Sequence, residues 1–196
     1  MSVVFDELVA VVHGCRRCPS MDGRRRVLGP GNGSPRARIL LVGEAPGRLG
    51  AERTGVPFVG DASGRRLDGL LEAAGWRRAD VFVTNAVLCN PRDGRDRNRP
   101  PSAAELRDCR GHLDATLACV RPRLVVALGR RALAALGAIE PHDLQRSPPG
   151  TLAAWRHGSW LTWMVHPSPL AGAQRAWAVQ SADWRSLRRR VEPVLR

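Results

Sequence analysis

Four cysteines have the spacing of a four-thiolate site. Cys15 and Cys18 form a Cys-x2-Cys pair near the start of the chain, and Cys89 and Cys109 follow much later. Four thiolates suit either tetrahedral zinc or an iron–sulfur cluster. Bound in this way, they would fasten the N-terminal segment to the body of the domain. We predict metal ligation for these four cysteines and burial in the core for the fifth, Cys119.

Three polar side chains of different chemistry each stand just past an apolar run. They are Glu44, Asn85 and His166. A carboxylate can hold a water molecule for attack, an amide can both donate and accept hydrogen bonds, and an imidazole can donate to developing negative charge. Taken alone, each residue has an ordinary structural explanation. Glu44 could be a strand-end carboxylate, Asn85 a turn-capping amide and His166 a structural or surface imidazole. Their shared position in three separate segments is the stronger signal.

The apolar runs predict buried parallel strands. Helical patterns alternate with them, which predicts an α/β fold: a three-layer α/β/α sandwich around a central parallel four-stranded sheet, in a single domain over residues 1–196. Ligands of such sheets bind beyond the carboxyl ends of the strands. The predicted strands are 39–42, 81–84, 124–128 and 160–165. The predicted helices are 3–13, 63–74, a helix capped by Ser102 and Glu105, 130–136 and 173–194.

The chain is strongly basic. Its 196 residues carry a formal net charge of +13, and all 31 basic residues are arginine. This balance is typical of a protein with a polyanionic partner, but a GC-rich genome and a solvated surface would explain the composition equally well. No apolar run approaches the ~20 residues of a membrane span. The N-terminal residues do not have the pattern of a signal peptide, so we expect a reducing, cytoplasmic location in which an odd number of cysteines remains unbridged.

Further motifs occur along nearly the whole chain. The acid loop reads GEAPG, residues 53–64 read RTGVPFVGDASG, residues 84–89 read TNAVLC, and residues 166–169 read HPSP. With the early Cys-x2-Cys-Pro, they resemble the iron–sulfur uracil-DNA glycosylases of families 4 and 5. The resemblance implies a [4Fe-4S] cluster rather than zinc on the four cysteines. It also implies a monomer, and DNA with uracil or other deaminated bases as the partner.

The resemblance also implies residue roles. Phe58 would stack on a base flipped out of the DNA, Asn85 would read the O4/N3 edge of uracil, and His166 would donate a hydrogen bond to O2. The implied substrate-binding residues are Gly43, Ala45, Pro46, Gly47, Phe58 and Asn85. From their positions, Ser168 could hold a phosphate, and Leu170 could insert into the DNA stack or equally fold back on the core. Four loop arginines could line a DNA track or form a solvated loop: Arg92, Arg95, Arg97 and Arg99.

The motifs of the two families are mixed in this chain. Glu44 in GEAPG is the family 4 form, whereas Asp61 in the RTGVPFVGDASG segment is the family 5 form. Either acid could orient the attacking water, and the sequence leaves the choice open. A related branch bonds covalently to DNA through a histidine in the loop before the capped helix. Here that loop reads GRDRNRPPS, so we predict no such trapping.

Two other functions remain compatible with the residues. One is a non-catalytic, cluster-bearing nucleic-acid-binding protein that has kept the fold. The other is an enzyme that acts on a small phosphorylated substrate through the GEAPG loop. The presence of both acids, Asn85 and His166 disfavours the first, and the basic charge is unexplained by the second.

Overall fold

A five-stranded sheet forms the centre of the molecule. The computed structural model describes residues 3–173 and 175–195. The strand order is β2-β1-β3-β5-β4. All neighbouring strands are parallel except β4, which pairs antiparallel with β5 at one edge. The strands are β1 (Ile39–Gly43), β2 (Val81–Asn85), β3 (Leu124–Leu128), β4 (Ala153–Ala154) and β5 (Trp160–Met164).

Helices cover both faces of the sheet. The helices are α1 (Val3–His13), α2 (Ala51–Thr54), α3 (Ala62–Ala73), α4 (Ala103–Val120), α5 (Arg130–Gly137), α6 (Pro169–Gly172) and α7 (Trp177–Leu195). The α1, α4 and α5 side chains share one apolar cluster with the sheet, and those of α3 and α7 share a second cluster on the other face. The predicted α/β sandwich is therefore confirmed. Short 3-10 turns lie at 19–21, 30–32, 78–80, 144–146 and 156–158.

The four predicted parallel strands are all present, but the predicted strand number is wrong. The sheet has five strands rather than four. Every residue of β1, β2 and β3 is buried, as expected for continuous apolar runs covered on both faces. The added strand β4 has two residues, of which Ala154 is exposed. A pair of alanines carries neither β-branching nor alternation, so no sequence pattern marked it.

Side-chain caps set the helix boundaries near the predicted site. Ser102 and Glu105 form the predicted capping box of α4. Asp61 caps α3, which begins at Ala62, one residue before the predicted start. The predicted helix 173–194 begins instead at Trp177. A separate short helix, α6, is capped by Ser168 and ends at Gly172, just before the predicted start. Residue 174 of that prediction lies outside the described residues. None of the described helices is long and apolar enough to cross a bilayer.

Candidate active site

The carboxyl ends of the parallel strands meet at one edge of the sheet. Gly43 at the end of β1 lies in register with Asn85 at the end of β2. The chain runs from β1 to β2 on one side and reaches β3 on the other, so this edge is the switch point where ligands bind in open α/β sheets. A cavity of about 540 Å³ opens there. The predicted site residues that line it are Glu44, Ala45, Pro46, Gly47, Phe58, Asp61, Asn85, His166, Ser168 and Leu170.

Asn85 lies at the floor of this cavity. Asn85 is 1% exposed, and neither Oδ1 nor Nδ2 has a hydrogen-bond partner among the described residues. An unpaired buried amide is costly, so such a group points to a ligand that completes its hydrogen bonds. Gly43 lies behind the cavity wall. A Cβ atom there would come within 2.4 Å of Asn85 Oδ1 and 2.7 Å of the Phe58 ring, so the absence of a side chain gives both residues room.

Phe58 forms an aromatic wall of the cavity. Its backbone has φ +53°, a left-handed conformation that bulky residues rarely adopt. The carbonyl of Phe58 packs against Gly64, where a Cβ atom would lie only 2.2 Å away. The ring centroid is 5.8 Å from that of His166, with the planes tilted by 43°. Phe58 also packs into the core on the α3 side, so the fold itself holds its ring in place.

His166 is held as one defined tautomer. The backbone N–H of Ser168 donates to His166 Nδ1 at 3.1 Å. A nitrogen that accepts a hydrogen bond carries no proton, so in the neutral ring the proton is on Nε2. Burial lowers the pKa of His166 from its ordinary value, and the Asp61 carboxylate partly offsets this shift. The imidazole is therefore neutral at pH 7 and has an Nε2–H group to donate.

The two candidate acids have different surroundings. Glu44 Oε1 accepts a hydrogen bond from Arg131 Nη1 at 3.1 Å. Asp61 Oδ1 accepts the backbone N–H of Gly64 at 2.9 Å as the N-cap of α3. Asp61 Oδ2 lies beside Gly50, where a Cβ atom would be 2.3 Å from it. The Asp61 carboxylate therefore stabilises the local backbone as a helix cap. The Glu44 carboxylate, at the end of β1, has one described side-chain contact, the hydrogen bond from Arg131.

A pair of asparagines, which the sequence motifs did not predict, joins two loops of the cavity. Asn90 Nδ2 donates to the carbonyl of Pro46 at 2.5 Å and to Asn98 Oδ1 at 3.0 Å. Asn98 Oδ1 also accepts the backbone N–H of Arg48 at 3.0 Å. The loop of residues 90–101 is thereby attached to the GEAPG loop. The one available signal was the position of Asn90 directly after a predicted ligand cysteine.

The arginines predicted as a DNA track are mostly occupied within the protein. Arg92 pairs with Glu52 and Asp96. Arg97 pairs with Asp93 at 2.8 Å. These contacts fold the loop back on itself, and Arg95 is the one arginine of the predicted track that has no ion pair among the described residues.

The fourth of those arginines, Arg99, reaches the cavity wall but is also paired. It donates to both carboxylate oxygens of Glu105, at 2.8 and 2.6 Å. Ser20 Oγ and the backbone N–H of Ser102 donate to the same carboxylate. The hydrogen bonds from Arg99 are the largest of the effects that lower the pKa of Glu105 to about 2. The carboxylate therefore stays ionised. Glu105 thereby ties the cysteine-bearing N-terminal segment to the wall of the cavity.

The four predicted ligand cysteines surround one small void of about 30 Å³. Burial raises the pKa of Cys89 to about 11 and that of Cys109 to about 12, so both are thiols in the metal-free protein. As a thiol, Cys18 Sγ donates to Asp108 at 3.7 Å. Within the described ranges, no group of three His, Cys, Asp or Glu residues is already arranged around a single ion. The donor set of four sulfurs about one void fits a thiolate-bound metal group.

Cys119 is not at this void. It is half-buried and packs against the core cluster on the α1, α4 and α5 side. Burial raises the pKa of its thiol. The expectation of a core position is met only in part.

Fold and cavity together define an open α/β fold with a polar-floored cavity at the carboxyl edge of its sheet. The family model of the uracil DNA glycosylase superfamily matches residues 30–188. The chain belongs to this superfamily.

Curated relatives of both types are similar to the chain. A type-4 uracil-DNA glycosylase of Archaeoglobus fulgidus is 39% identical over 128 residues, which cover 65% of this chain and 61% of the relative. A type-5 enzyme of Thermus thermophilus is 38% identical over 160 residues, covering 67% and 71%. A type-5 enzyme of Pyrobaculum aerophilum is 33% identical over 205 aligned positions, covering 85% and 83%. The chain spans only 56–61% of the length of several type-4 relatives.

Proposed function

We propose that the protein is a DNA glycosylase that flips uracil out of DNA and hydrolyses its N-glycosidic bond. The products are free uracil and an abasic site. The observation that carries the proposal is the buried, unpartnered amide of Asn85 in a cavity shared with Phe58, His166 and Glu44. The names of the relatives, type-4 and type-5 uracil-DNA glycosylases, support the same substrate and DNA as the partner.

Binding of the base uses the walls of the cavity. A base inside a duplex is out of reach, so it must leave the stack before any chemistry occurs. The Phe58 ring provides a stacking face for the extruded pyrimidine. The Asn85 amide provides one donor and one acceptor for the O4 and N3–H of uracil. Other deaminated bases that present the same pair of groups fit the same interaction.

Bond cleavage places negative charge on the departing base and positive charge on the sugar. The Nε2–H of His166 donates to uracil O2 as the negative charge develops there, and a neutral donor already in place needs no rearrangement. Cleavage of a glycosidic bond gives the sugar oxocarbenium character. Glu44 holds the attacking water and takes its proton. Asp61 shapes the loop and adds negative charge near the cationic sugar.

Leu170 is placed to fill the gap in the DNA stack. It lies on the rim of the cavity in α6 and is 85% exposed, the most exposed of the large apolar side chains described. Apolar side chains inserted between bases stabilise an unstacked duplex. Ser168 precedes it as the N-cap of α6 and lies within reach of the same DNA strand.

The test is an assay on an oligonucleotide that contains one uracil. After incubation, abasic sites are cleaved with alkali and the strand is separated by size. We expect strand cleavage at the uracil and none in a matched oligonucleotide with thymine in its place. Cleavage no greater than in a control without protein would reject the glycosylase and favour the non-catalytic alternative.

The pH dependence follows from the state of His166. Because burial lowers the pKa of His166, the imidazole gains a second proton only at a pH below the ordinary histidine pKa of about 6.5. That proton would sit on Nδ1 and break the hydrogen bond from the Ser168 N–H that orients the ring. We expect kcat/KM for uracil release to fall on the acid side at a pH below 6.5. Asp61→Asn removes the carboxylate that raises the pKa of His166, so the fall in kcat/KM of this variant should occur at a lower pH than in the wild type. A wild-type limb at or above 6.5 contradicts this interpretation.

We also propose that Cys15, Cys18, Cys89 and Cys109 bind a [4Fe-4S] cluster, with zinc as the alternative. When bound, the group serves as a structural crosslink, because glycosidic hydrolysis needs no electron transfer. It would join the N-terminal segment, the end of the TNAVLC motif and α4 around the void that their thiols share. We further propose a monomer that works in the reducing cytoplasm, where these thiols remain unbridged.

Removal of one ligand tests the cluster. We expect wild-type protein purified without chelator to absorb broadly near 400 nm, and Cys109→Ser to lose most of this absorbance and unfold at lower temperature. Cys119→Ser is the matched control, because Cys119 does not face the void. Colourless wild-type protein with one zinc per chain would show that the metal assignment is wrong.

A further inference from the structure

A second groove lies beside the proposed base cavity. It has a volume of about 350 Å³ and lies between α4 and α5. Glu44 lines both the cavity and this groove, so the two adjoin at its side chain. The groove has an apolar floor that includes Ala86, Leu106 and Ala135. We call it the arginine groove because Arg107, Arg110 and Arg131 line it.

The charge in this groove is unbalanced. Glu44 is the only acidic residue among the described residues that line it, against three arginines. All three arginines are exposed. Arg110 donates to the carbonyl of Ala138 at 3.3 Å and so spans from α4 to α5. In the described part of the chain, neither Arg107 nor Arg110 has a carboxylate within ion-pair distance. The loop of residues 90–101 differs, because three of its four arginines are tied to acids.

The third arginine is held weakly. Arg131 contacts Glu44 through one guanidinium nitrogen, and its side chain is 61% exposed. Ion pairs between exposed side chains are weak, because water and salt compete for both partners. A phosphate can therefore take the guanidinium from Glu44. Such an exchange would leave the carboxylate to the water that it holds in the proposed reaction.

We propose that the arginine groove binds the phosphate backbone of the strand that carries the flipped uracil. This inference rests on the proposed function, since a strand with one nucleotide in the cavity must continue over the adjoining surface. Arginine forks match phosphate oxygens, and contacts to phosphate make binding strongly salt-dependent. The groove therefore supplies more unpaired positive charge beside the site than the loop of residues 90–101, in which Arg95 alone lacks an ion pair among the described residues.

The test measures affinity for a single-stranded oligonucleotide without uracil, at several salt concentrations. This readout does not depend on glycosylase activity, so it can fail or succeed independently of the proposed function. For a single strand, each phosphate that a variant no longer binds should flatten the plot of log affinity against log salt by about 0.7. We expect this change for Arg131→Gln and about twice this change for the double variant Arg107→Gln/Arg110→Gln.

The matched control is Arg189→Gln, on α7. It removes the same charge from an exposed position on the opposite face of the sheet. We expect its salt slope to equal that of the wild type, and all variants to unfold at the wild-type temperature. Groove variants with an unchanged slope would overturn the proposal and leave an acidic protein segment as the better occupant. An equal loss in Arg189→Gln would overturn it as well, since net charge alone would then explain the effect.

Discussion

His166→Ala is expected to slow the single-turnover release of uracil by about 10²- to 10³-fold, the loss typical when one donor to developing negative charge is removed. The structure gives the physical reason. The N–H of Ser168 occupies Nδ1, so Nε2 carries the proton, and burial keeps the ring neutral. The donor is therefore in position before the base departs. The rate is measured by rapid mixing of excess protein with uracil-containing DNA.

The control for this prediction is His166→Gln, which keeps an N–H donor of similar reach. We expect it to recover part of the rate that alanine loses, with DNA affinity close to that of the alanine variant. Equal rates for the alanine variant and the wild type would contradict the role of His166. Equal losses in both variants would assign the residue to packing against Phe58, at 5.8 Å between ring centroids, instead of hydrogen bonding.

Glu44→Gln is expected to lower the same rate by about 10²- to 10⁴-fold, the range of general acid–base contributions. Glutamine keeps the size of the side chain and its contact with Arg131, but it cannot take a proton from water. The loss should appear in the rate at saturating DNA, because the change removes chemistry and little binding. A loss confined to KM would contradict the water-holding role.

Asp61→Asn provides the comparison that separates the two acids. Asparagine caps helices about as well as aspartate, so this change removes the charge and keeps the N-cap of α3. We expect a smaller rate loss than for Glu44→Gln. A larger loss in Asp61→Asn would reverse the assignment and place the water beside Asp61. Asp61→Ala should also destabilise the fold by about 1 kcal/mol, because it removes the cap.

Much of the site follows from the strands alone. Continuous apolar runs mark buried parallel strands, and parallel strands bring their carboxyl ends to one edge. That geometry places Glu44, Asn85 and His166 together, and the structure has all three on one cavity. Ser102 and Glu105 were likewise readable as a capping box, since both partners lie within one turn.

Features that depend on contacts distant in sequence were not readable. The left-handed backbone of Phe58 is one of them, since its carbonyl packs against Gly64 of α3 and its ring against Gly43 of β1. Three of the four arginines in the loop of residues 90–101 are paired with acids in the structure, and the sequence did not show that Glu52 would lie beside Arg92. The arginine groove was missed for the same reason. Arg107 and Arg110 lie on α4 and Arg131 on α5, and the sequence alone does not show that these two helices lie side by side.

The proposed reaction requires one extruded uracil to fit between Phe58 and Asn85 with its O2 toward His166. A crystal structure of the protein with a single strand that carries 2′-fluoroarabinouridine would show this base in place, because the fluorine disfavours the cationic sugar and slows cleavage. We expect the base in the 540 Å³ cavity, with O4 and N3 on the Asn85 amide and O2 near Nε2. A base bound outside this cavity, or seated in it with the Asn85 amide still unpaired, would refute the proposed mechanism.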